Sequence, residues 1–297
     1  MASALRPSHL PEMDLQCPTN LGDVFRHISN GAQLLAGGTD ILLQASVRGE
    51  PNKLVWTGGI ESMKEFDADS DFIKVGASVP LSTMIKSNAF RDGAPAVADG
   101  AQSVGSLQLR NQATMVGNVC TASPAADTVP GLLIHNCVVA TIDKENNKRE
   151  IALKDFLTGP GKTNLGEGEL VTCLSFSRLG KNQMSAYQRF TQREALDLAF
   201  ASVAARLEFE EDGQTLMTVN LALGAVGPTA IDASAAADIL KGHPISEGRL
   251  DICADAASQL CSPISDHRAS AGYRRQLIRA LVGDVVRQAA TRYGNKK

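Results

Sequence analysis

The stretch LLAGGTDILL (residues 34–43) places a turn between two short apolar runs. Its two glycines, Gly37 and Gly38, can adopt backbone angles closed to other residues, and they let a ligand reach the main chain without meeting a Cβ atom. Thr39 or Asp40 can cap the helix that follows. The stretch therefore predicts a strand, a glycine turn and a helix, with free N–H groups that suit a phosphate or pyrophosphate. It is neither G-x-G-x-x-G nor a P-loop, so a purely structural turn remains an alternative.

A second segment of similar character is ATMVGNVCTASPAAD (residues 113–127). The pair Gly117–Asn118 predicts a turn, and Ser123–Pro124 predicts a helix start with serine as the cap and proline in the first turn. Asp127 then falls in that first turn. Its carboxylate either interacts favourably with the positive end of the helix dipole or accepts a hydrogen bond from a ligand hydroxyl. Two glycine turns in separate regions can grip one long diphosphate ligand between them.

Composition limits the function classes that need to be considered. The chain has 297 residues, of which 43% are hydrophobic and 21% charged, and its net charge of −3 provides no basic surface for nucleic acid. It contains no apolar run long enough for a membrane helix and no apolar core of a signal peptide near the N-terminus, so we expect a cytoplasmic protein. The six cysteines have no metal-ligand spacing, and most lie in apolar contexts typical of buried side chains.

The pattern of strands and helices indicates an α+β architecture in three parts. Residues 1–57 alternate short strands with helices, and residues 58–179 contain strands around a helical middle. Residues 180–297 start with long alternating strands and end in a helix predicted from Arg268, with the stretch before it also read as helical. No Ser-His-Asp pattern with motif support is present, and the five histidines are scattered, so each is interpreted as a surface or satisfied core residue. The basic residues of the last helix are interpreted as locally paired or as contacting a partner, namely Arg274, Arg275 and Arg279.

Several motifs together resemble the FAD-binding, or medium, subunit of the molybdenum hydroxylases, the family of carbon monoxide dehydrogenase and xanthine dehydrogenase. The motifs occur in the family's order over nearly the whole chain: AGGTD (36–40), LRNQATMVGN (109–118) with TASPAAD (121–127), GEGEL (166–170), REALDLAFASVA (193–204), LGAVGPT (223–229) and RASAGYRRQL (268–277). The resemblance implies a two-part FAD-binding fold of the vanillyl-alcohol oxidase type, followed by a C-terminal α+β flavoprotein domain.

The resemblance also implies a set of cofactor-binding residues. Residues 34–41 would wrap the FAD pyrophosphate from one side. Thr114, Gly117 and Asn118 would hold it from the other side, with Thr121 nearby. Asp127 would form a hydrogen bond with the ribityl or diphosphate region. Val171 would line the adenine or flavin cavity, and Arg189 would lie near the flavin. The full set is Leu34, Leu35, Ala36, Gly37, Gly38, Thr39, Asp40, Ile41, Thr114, Gly117, Asn118, Thr121, Asp127, Val171 and Arg189.

Two departures from the family pattern have physical consequences. Val116 stands where relatives usually have the first glycine of Gly-Gly-Asn. A valine that had to adopt a positive φ would cost about 1–2 kcal/mol or more, whereas in extended backbone only its bulk near the ligand would matter. The cysteine-rich segment that holds an iron–sulfur cluster in some relatives is missing, so we expect no cluster and no metal site in this chain.

The resemblance implies a division of labour with other subunits. A large partner would carry the molybdenum cofactor, and a small partner would carry two 2Fe–2S clusters. This chain would hold FAD and exchange electrons between those clusters and an external acceptor or donor, such as NAD, oxygen, a quinone or another compound. The expected assembly is a dimer of heterotrimers. Two alternatives are a stand-alone FAD-dependent reductase of the cell-wall-precursor type and an interaction subunit that has lost its flavin.

Overall fold

The computed structural model describes residues 12–43 and 51–296. Its N-terminal part is a parallel sheet of three strands in the order β1-β3-β2. Asn20 caps the helix between β1 and β2 by accepting a hydrogen bond from the amide of Asp23 (2.9 Å). The residues after β2 are helical from position 41, and the remainder of the helix expected over residues 41–49 lies outside the described residues. The elements of this part are β1 (Asp14–Gln16), α1 (Leu21–Ser29), β2 (Gln33–Leu35) and β3 (Lys53–Trp56).

An antiparallel sheet of five strands forms the next part. Its order is β4-β5-β10-β6-β7, and it consists of β4 (Phe66–Asp67), β5 (Phe72–Gly76), β6 (Val138–Ile142), β7 (Lys148–Ala152) and β10 (Leu170–Ser177). A small separate hairpin pairs β8 (Leu157–Gly159) with β9 (Lys162–Thr163). Two short 3-10 helices, Thr57–Gly59 and Glu61–Met63, connect β3 to this sheet.

Helices cover the five-stranded sheet. They are α2 (Leu81–Lys86), α3 (Asn88–Gly93), α4 (Pro95–Ser103), α5 (Leu107–Arg110), α6 (Met115–Cys120), α7 (Thr128–Ile134) and α8 (Leu153–Phe156). Side chains from both sheets and from these helices form one hydrophobic core, which includes Val24 and Val55 of the first part and Val75 and Phe176 of the second. The first two parts therefore share one continuous core.

The C-terminal part has its own core between a four-stranded antiparallel sheet and two helices. It consists of β11 (Gln183–Phe190), β12 (Ala201–Phe209), β13 (Leu216–Gly224), β14 (Ile231–Asp232), a 3-10 helix (Ser234–Leu240), α9 (Glu247–Gln259) and α10 (Ala271–Lys296). In the sequence of the last helix, Tyr273, Leu277, Leu281, Val285 and Ala289 recur every four residues, which predicts a packing face. The last four of these residues are buried as predicted, whereas Tyr273 at the start of the helix is 41% exposed.

Two sequence-based expectations are wrong in this region. The last helix begins at Ala271 and not at Arg268, because the carboxylate of Asp266 accepts hydrogen bonds from the amides of Arg268 and Ala269 and holds them in a turn. The stretch expected to be helical from residue 233 begins with a 3-10 helix, and the short edge strand β14 before it was not predicted.

The basic residues of the last helix are paired within the chain. Arg274 is 2% exposed and donates to the carbonyl of Phe200 (2.7 Å) and to Asp266 (3.0 Å). Arg275 and Arg279 have local acceptors as well, the carbonyl of Cys261 and the carboxylate of Asp255. Local pairing, one of the two interpretations, therefore describes these side chains.

Close packing of α4 and α7 places the second part of the molecule against the C-terminal sheet. A Cβ atom on Gly100 of α4 would lie 2.4 Å from the carbonyl oxygen of Asp127, and one on Gly131 of α7 would lie 2.9 Å from that of Ala96. Glycine is therefore required for the two helices to approach so closely. Both helices then pack on the strands of the C-terminal sheet.

Polar side chains tie the two parts together at this interface. The ring of buried His135 donates from Nδ1 to the carbonyl of Ser177 (2.7 Å), and its Nε2 accepts from the hydroxyl of Ser185 (3.0 Å). Arg292 of α10 donates to Asp99 of α4 (2.7 Å). The interpretation of His135 as a satisfied core residue is confirmed.

Candidate functional site

The glycine turn after β2 has the form that the sequence predicts. β2 ends at Leu35, Gly38 has a positive φ of 72°, and helical residues begin at position 41. The amides of Gly37, Gly38 and Thr39 have no hydrogen-bond acceptor within the part of the chain that the structure describes. Unsatisfied N–H groups at a strand–helix turn are suited to an anionic ligand.

The second glycine segment differs from the prediction. Gly117 and Asn118 lie inside helix α6 and not in a turn, because the hydroxyl of Thr114 caps this helix by accepting from the amide of Gly117 (2.9 Å). Val116 shares the helical backbone of α6 and is 4% exposed. Its side chain belongs to the hydrophobic core, so the positive φ considered for this position does not occur.

The two segments meet backbone to backbone. A Cβ atom on Gly37 would lie 2.0 Å from the carbonyl oxygen of Gln112 and 3.0 Å from the Cα atom of Ala113. No side chain fits at this contact. Gly37 therefore serves the packing of one segment on the other, in addition to the access that a glycine gives to a ligand.

A cavity of about 710 Å³ lies where the two segments meet. The first segment contributes Leu35, Ala36, Gly37 and Gly38 to its wall, and the second contributes Asn111, Gln112 and Thr114. The remaining wall is largely apolar and includes Leu15, Trp56 and Val79. Volume and lining are typical of sites for small molecules and cofactors.

The other predicted site residues are not part of this cavity wall. Several have side chains that are engaged within the protein: the Oδ1 of Asn118 accepts from the hydroxyl of Thr128 (2.6 Å), and Thr121 donates to the carbonyl of Gly117 (3.0 Å). The predicted residues outside the wall are Leu34, Thr39, Asp40, Ile41, Gly117, Asn118, Thr121, Asp127, Val171 and Arg189.

Asp127 forms a buried polar cluster with two side chains of β11. Its carboxylate accepts from the hydroxyl of Tyr187 (2.6 Å) and from Nη1 of Arg189 (2.6 Å), which also reaches the carbonyl of Asp197 (3.3 Å). Burial raises the pKa of Asp127 above its ordinary value, while Arg189 and Tyr187 act in the opposite direction. The cluster joins the second part of the molecule to the C-terminal part.

The expected helix start at Ser123 is wrong. Residues 123–127 form a turn, and the helix begins at Thr128, directly after Asp127. The carboxylate of Asp127 makes no capping hydrogen bond, because both of its oxygens are directed to β11. The interpretation of Asp127 as a residue of the first helical turn is replaced by a role between domains.

The GEGEL motif supports a loop next to Val171. Glu169 accepts from Nε of Arg149 (2.8 Å), from the hydroxyl of Thr141 and from the amide of Gly166 (2.7 Å). The hydrogen bond from Arg149, followed by those from Thr141 and Gly166, lowers the pKa of Glu169 to about 2. Val171 itself lies on β10 and is 6% exposed within the core.

Both parts of the chain match known protein families. The model of the FAD binding domain in molybdopterin dehydrogenase matches residues 11–176, more than half of the chain. The chain belongs to this family. A second model, the CO dehydrogenase flavoprotein C-terminal domain, matches residues 185–289. The predicted fold, a two-part FAD-binding fold followed by a C-terminal α+β flavoprotein domain, is confirmed.

Individual relatives of this flavoprotein extend over most of its length. The xanthine dehydrogenase FAD-binding subunit of Escherichia coli O157:H7 is 27% identical over 268 residues, which cover 89% of this chain and 91% of the relative. The carbon monoxide dehydrogenase medium chain of Hydrogenophaga pseudoflava is 25% identical and covers 94% of this chain and 96% of its own. Both relatives are subunits of oxidoreductases.

Solved structures show the same fold. Carbon monoxide dehydrogenase from Hydrogenophaga pseudoflava, in a form lacking the Mo-pyranopterin moiety of its cofactor, matches with a TM-score of 0.89 and 24% identity, covering 96% of this chain and 99% of that one. Quinoline 2-oxidoreductase from Pseudomonas putida 86 also gives a TM-score of 0.89, at 22% identity, with 96% and 99% covered.

Two residues of the flavoprotein site were missed by sequence reasoning. Tyr187 lies two positions before Arg189 on the same strand, so a period of two places both side chains on one face, and this signal was available. Trp56 is the single tryptophan of the chain and ends β3 beside the glycine turn. Its place in the cavity wall depends on strand pairing, which the sequence does not specify.

The cysteines of the flavoprotein are free thiols in different surroundings. Cys137, Cys253 and Cys261 are buried, whereas Cys17 is exposed and lines the cavity, contrary to the general expectation of burial. Among residues 12–43 and 51–296, no group of three or more His, Cys, Asp or Glu side chains is placed to hold a metal ion. No helix within these ranges is long and apolar enough to span a membrane.

Proposed function

We propose that this chain binds FAD in the cleft between its two glycine segments and acts as the flavin-carrying electron-transfer subunit of a molybdenum hydroxylase or dehydrogenase. The observation that carries the proposal is the contact of Gly37 with the backbone of Gln112, which closes one cavity from both segments. The amides of Gly37, Gly38 and Thr39, which have no acceptor among the described residues, would donate hydrogen bonds to a pyrophosphate. The two glycines leave the main chain accessible to it.

The predicted residues would hold the dinucleotide from two sides. Ala36, Gly37, Gly38 and Thr39 would hold the pyrophosphate, with Leu34, Leu35, Asp40 and Ile41 completing this side and Thr114, Gly117, Asn118 and Thr121 forming the other. Asn118 uses only its side-chain oxygen within the protein, which leaves its NH₂ group to donate. Val171, in the core strand beside α6, would shape the ring cavity.

Arg189 is the residue best suited to meet an anionic or carbonyl oxygen of the cofactor. Its side chain is 9% exposed, and Nη1 is fixed by Asp127. Nε and Nη2 have no acceptor among the described residues. Since both oxygens of Asp127 are engaged by Tyr187 and Arg189, we propose that Asp127 orients Arg189 toward the cofactor.

Bound FAD would supply the redox chemistry, since the flavin can exchange electrons both with iron–sulfur clusters and with an external acceptor or donor. The protein would contribute binding, orientation and the exclusion of water. We propose three units, residues 1–57 and 58–179 for the cofactor and residues 180–297 for the flavoprotein domain.

The partners follow from the relatives. The names of the relatives describe a medium chain and an FAD-binding subunit. We propose a large partner with the molybdenum cofactor, a small partner with two 2Fe–2S clusters, a dimer of heterotrimers and a cytoplasmic location. NAD, oxygen and a quinone are the candidate acceptors.

The two alternatives have less support. The model of the CO dehydrogenase flavoprotein C-terminal domain matches residues 185–289, which opposes a stand-alone reductase of the cell-wall-precursor type. A flavin-free interaction subunit was suggested by Val116, but this residue is helical and packs into the core.

The visible absorption spectrum of the chain, purified alone, tests the proposal. We expect an oxidised-flavin double band, with FAD released on denaturation. A protein that stays colourless on titration with FAD, both alone and in its complex, would refute flavin binding. Iron–sulfur absorption from the chain alone would contradict the expectation that it holds no cluster.

A further inference from the structure

We propose that the indole of Trp56 stacks on a planar heteroaromatic ring of the cofactor. The inference rests on the proposed function, because it takes the glycine turn as the pyrophosphate site. FAD contains two such rings, adenine and isoalloxazine, and both present a flat π-face to which an indole can stack.

Strand pairing sets Trp56 beside the glycine turn. β2 and β3 are parallel, and their register pairs Leu35 with Trp56. Neighbouring strands lie about 4.8 Å apart. The chain turns into Ala36 and Gly37 directly after Leu35, so a ligand whose phosphates meet the turn has the end of β3 within reach.

The indole is held in place by a glycine. A Cβ atom on Gly58 would lie 2.1 Å from Cζ2 and 2.3 Å from Cε2 of Trp56. The ring therefore rests on the bare backbone of the 3-10 helix Thr57–Gly59. A flat ring fixed on one side by main chain is already ordered, so stacking on it costs little side-chain entropy.

Trp56 itself belongs to the cavity wall. Trp56 is 38% exposed and Leu15, from β1, is 51% exposed, and both line the cavity. Large apolar side chains that remain uncovered inside a cavity mark a ligand surface. An apolar wall next to a turn with free amides matches a ligand with a charged group and an aromatic ring.

The experiment uses the single tryptophan as its own probe. The full chain, freed of bound flavin, is titrated separately with FAD, ADP and FMN while the emission of Trp56 is followed. Because flavins absorb where tryptophan emits, they quench without contact, whereas ADP changes the emission only through its immediate surroundings. Binding constants for the three ligands are then measured by isothermal titration calorimetry, which does not need the tryptophan, for the wild type, Trp56→Leu, Trp56→Phe and the control Phe72→Leu. The aromatic ring of Phe72 is exposed on β5 outside the cavity.

We expect Trp56→Leu to weaken FAD binding roughly tenfold, the size of one aromatic–base stack, with most of the affinity restored in Trp56→Phe and no change in Phe72→Leu. Equal weakening of ADP and FAD, with a change in emission on ADP binding, identifies adenine as the stacked ring. Weakening of FAD and FMN but not ADP, with brighter flavin fluorescence in Trp56→Leu, identifies the isoalloxazine.

Unchanged affinity for all three ligands in a folded Trp56→Leu protein overturns the inference and leaves FAD binding intact. Failure of the wild-type chain to take up FAD refutes the proposed function itself, so the two failures are distinguishable. Far-UV circular dichroism establishes that each variant is folded, and Trp56→Phe provides the comparison if the leucine variant is not.

Discussion

The carboxylate of Asp127 and the guanidinium of Arg189 form a buried ion pair, with 2.6 Å between Oδ2 and Nη1 and side chains that are each 9% exposed. Replacing Asp127 with Asn removes the negative charge and leaves Arg189 buried without its counter-ion. We expect a loss of about 3 kcal/mol in the free energy of unfolding, because breaking a buried pair leaves an uncompensated charge. Urea denaturation measures the loss as a lower midpoint.

An exposed ion pair provides the control for this prediction. Asp238 and Lys241 are paired on the surface, with side chains that are 59% and 44% exposed. Asp238→Asn is expected to cost less than about 1 kcal/mol. Equal losses in the two variants would mean that the cluster around Asp127 contributes no more than a surface pair.

Gly37 is expected to tolerate no side chain. In Gly37→Ala the new Cβ would have to displace the carbonyl oxygen of Gln112, which lies 2.0 Å from its ideal position. We expect destabilisation of roughly 1–3 kcal/mol, as for an overpacked core, and a lower FAD content after purification. Thermal unfolding and the flavin-to-protein absorbance ratio measure the two effects.

Gly272 of α10 is the matched control, since a Cβ there would meet nothing within 4 Å. Gly272→Ala is expected to change stability by no more than about 1 kcal/mol, in the stabilising direction, because alanine favours a helix. The proposed packing role of Gly37 is wrong if both variants behave alike.

Glu169 is expected to link stability to acid pH. Its pKa is lowered from 4.5 to about 2 in the folded chain. A carboxyl group whose pKa is lower in the folded chain stabilises the folded state at pH values above its unfolded pKa. This contribution is therefore present above pH 4.5 and is lost as the pH falls toward about 2. The difference in urea midpoint between the wild type and Glu169→Gln should therefore shrink over that window.

Glu167, on the same loop, is exposed and controls for the loss of a charge. Glu167→Gln should leave the pH dependence of the midpoint close to that of the wild type. A difference between wild type and Glu169→Gln that stays constant as the pH falls would contradict the role of the Arg149–Glu169 hydrogen bonds.

His135 is expected to act in a higher pH window. Burial, with a further contribution from Arg206, lowers its pKa from 6.5 to about 3. Below pH 6.5 the imidazole of His135 binds a proton in the unfolded chain but stays neutral in the folded chain. The stability of the folded state should therefore fall as the pH decreases from 6.5 toward 3. His135→Gln should be less stable at neutral pH and show a flatter decline.

His243 is exposed and is the corresponding control. Urea midpoints of His135→Gln, His243→Gln and the wild type, measured across this window, separate the two positions. A decline in His135→Gln as steep as that of the wild type would show that other groups cause the pH dependence.

The sequence predicted local structure where a local signal exists. Thr19 and Asn20 are the two residues whose side chains could cap the first helix, and Asn20 is the cap observed. CVVATID (137–143) and KREIAL (148–153) predict two strands with a turn at residues 145–147, and β6 and β7 lie there. The errors at Ser123 and Arg268 both arise from contacts of a nearby carboxylate. Asp266 holds Arg268 in a turn, whereas Asp127 is directed to β11 and does not cap the helix that follows it. Neither contact is visible in a cap pattern.

The sequence by itself determined longer strands such as β6, β10 and β12, the glycine turn at Gly37 and Gly38, the packing face of the last helix and the family to which the motifs belong. These features depend on side-chain period and on backbone freedom, which act over a few residues. The tertiary structure decided which segments meet: Gly37 with Gln112, Asp127 with Arg189, and Trp56 with the cavity. The residues of each pair are far apart in the chain and are brought together by burial of a shared core. The local sequence around each residue therefore does not specify its partner.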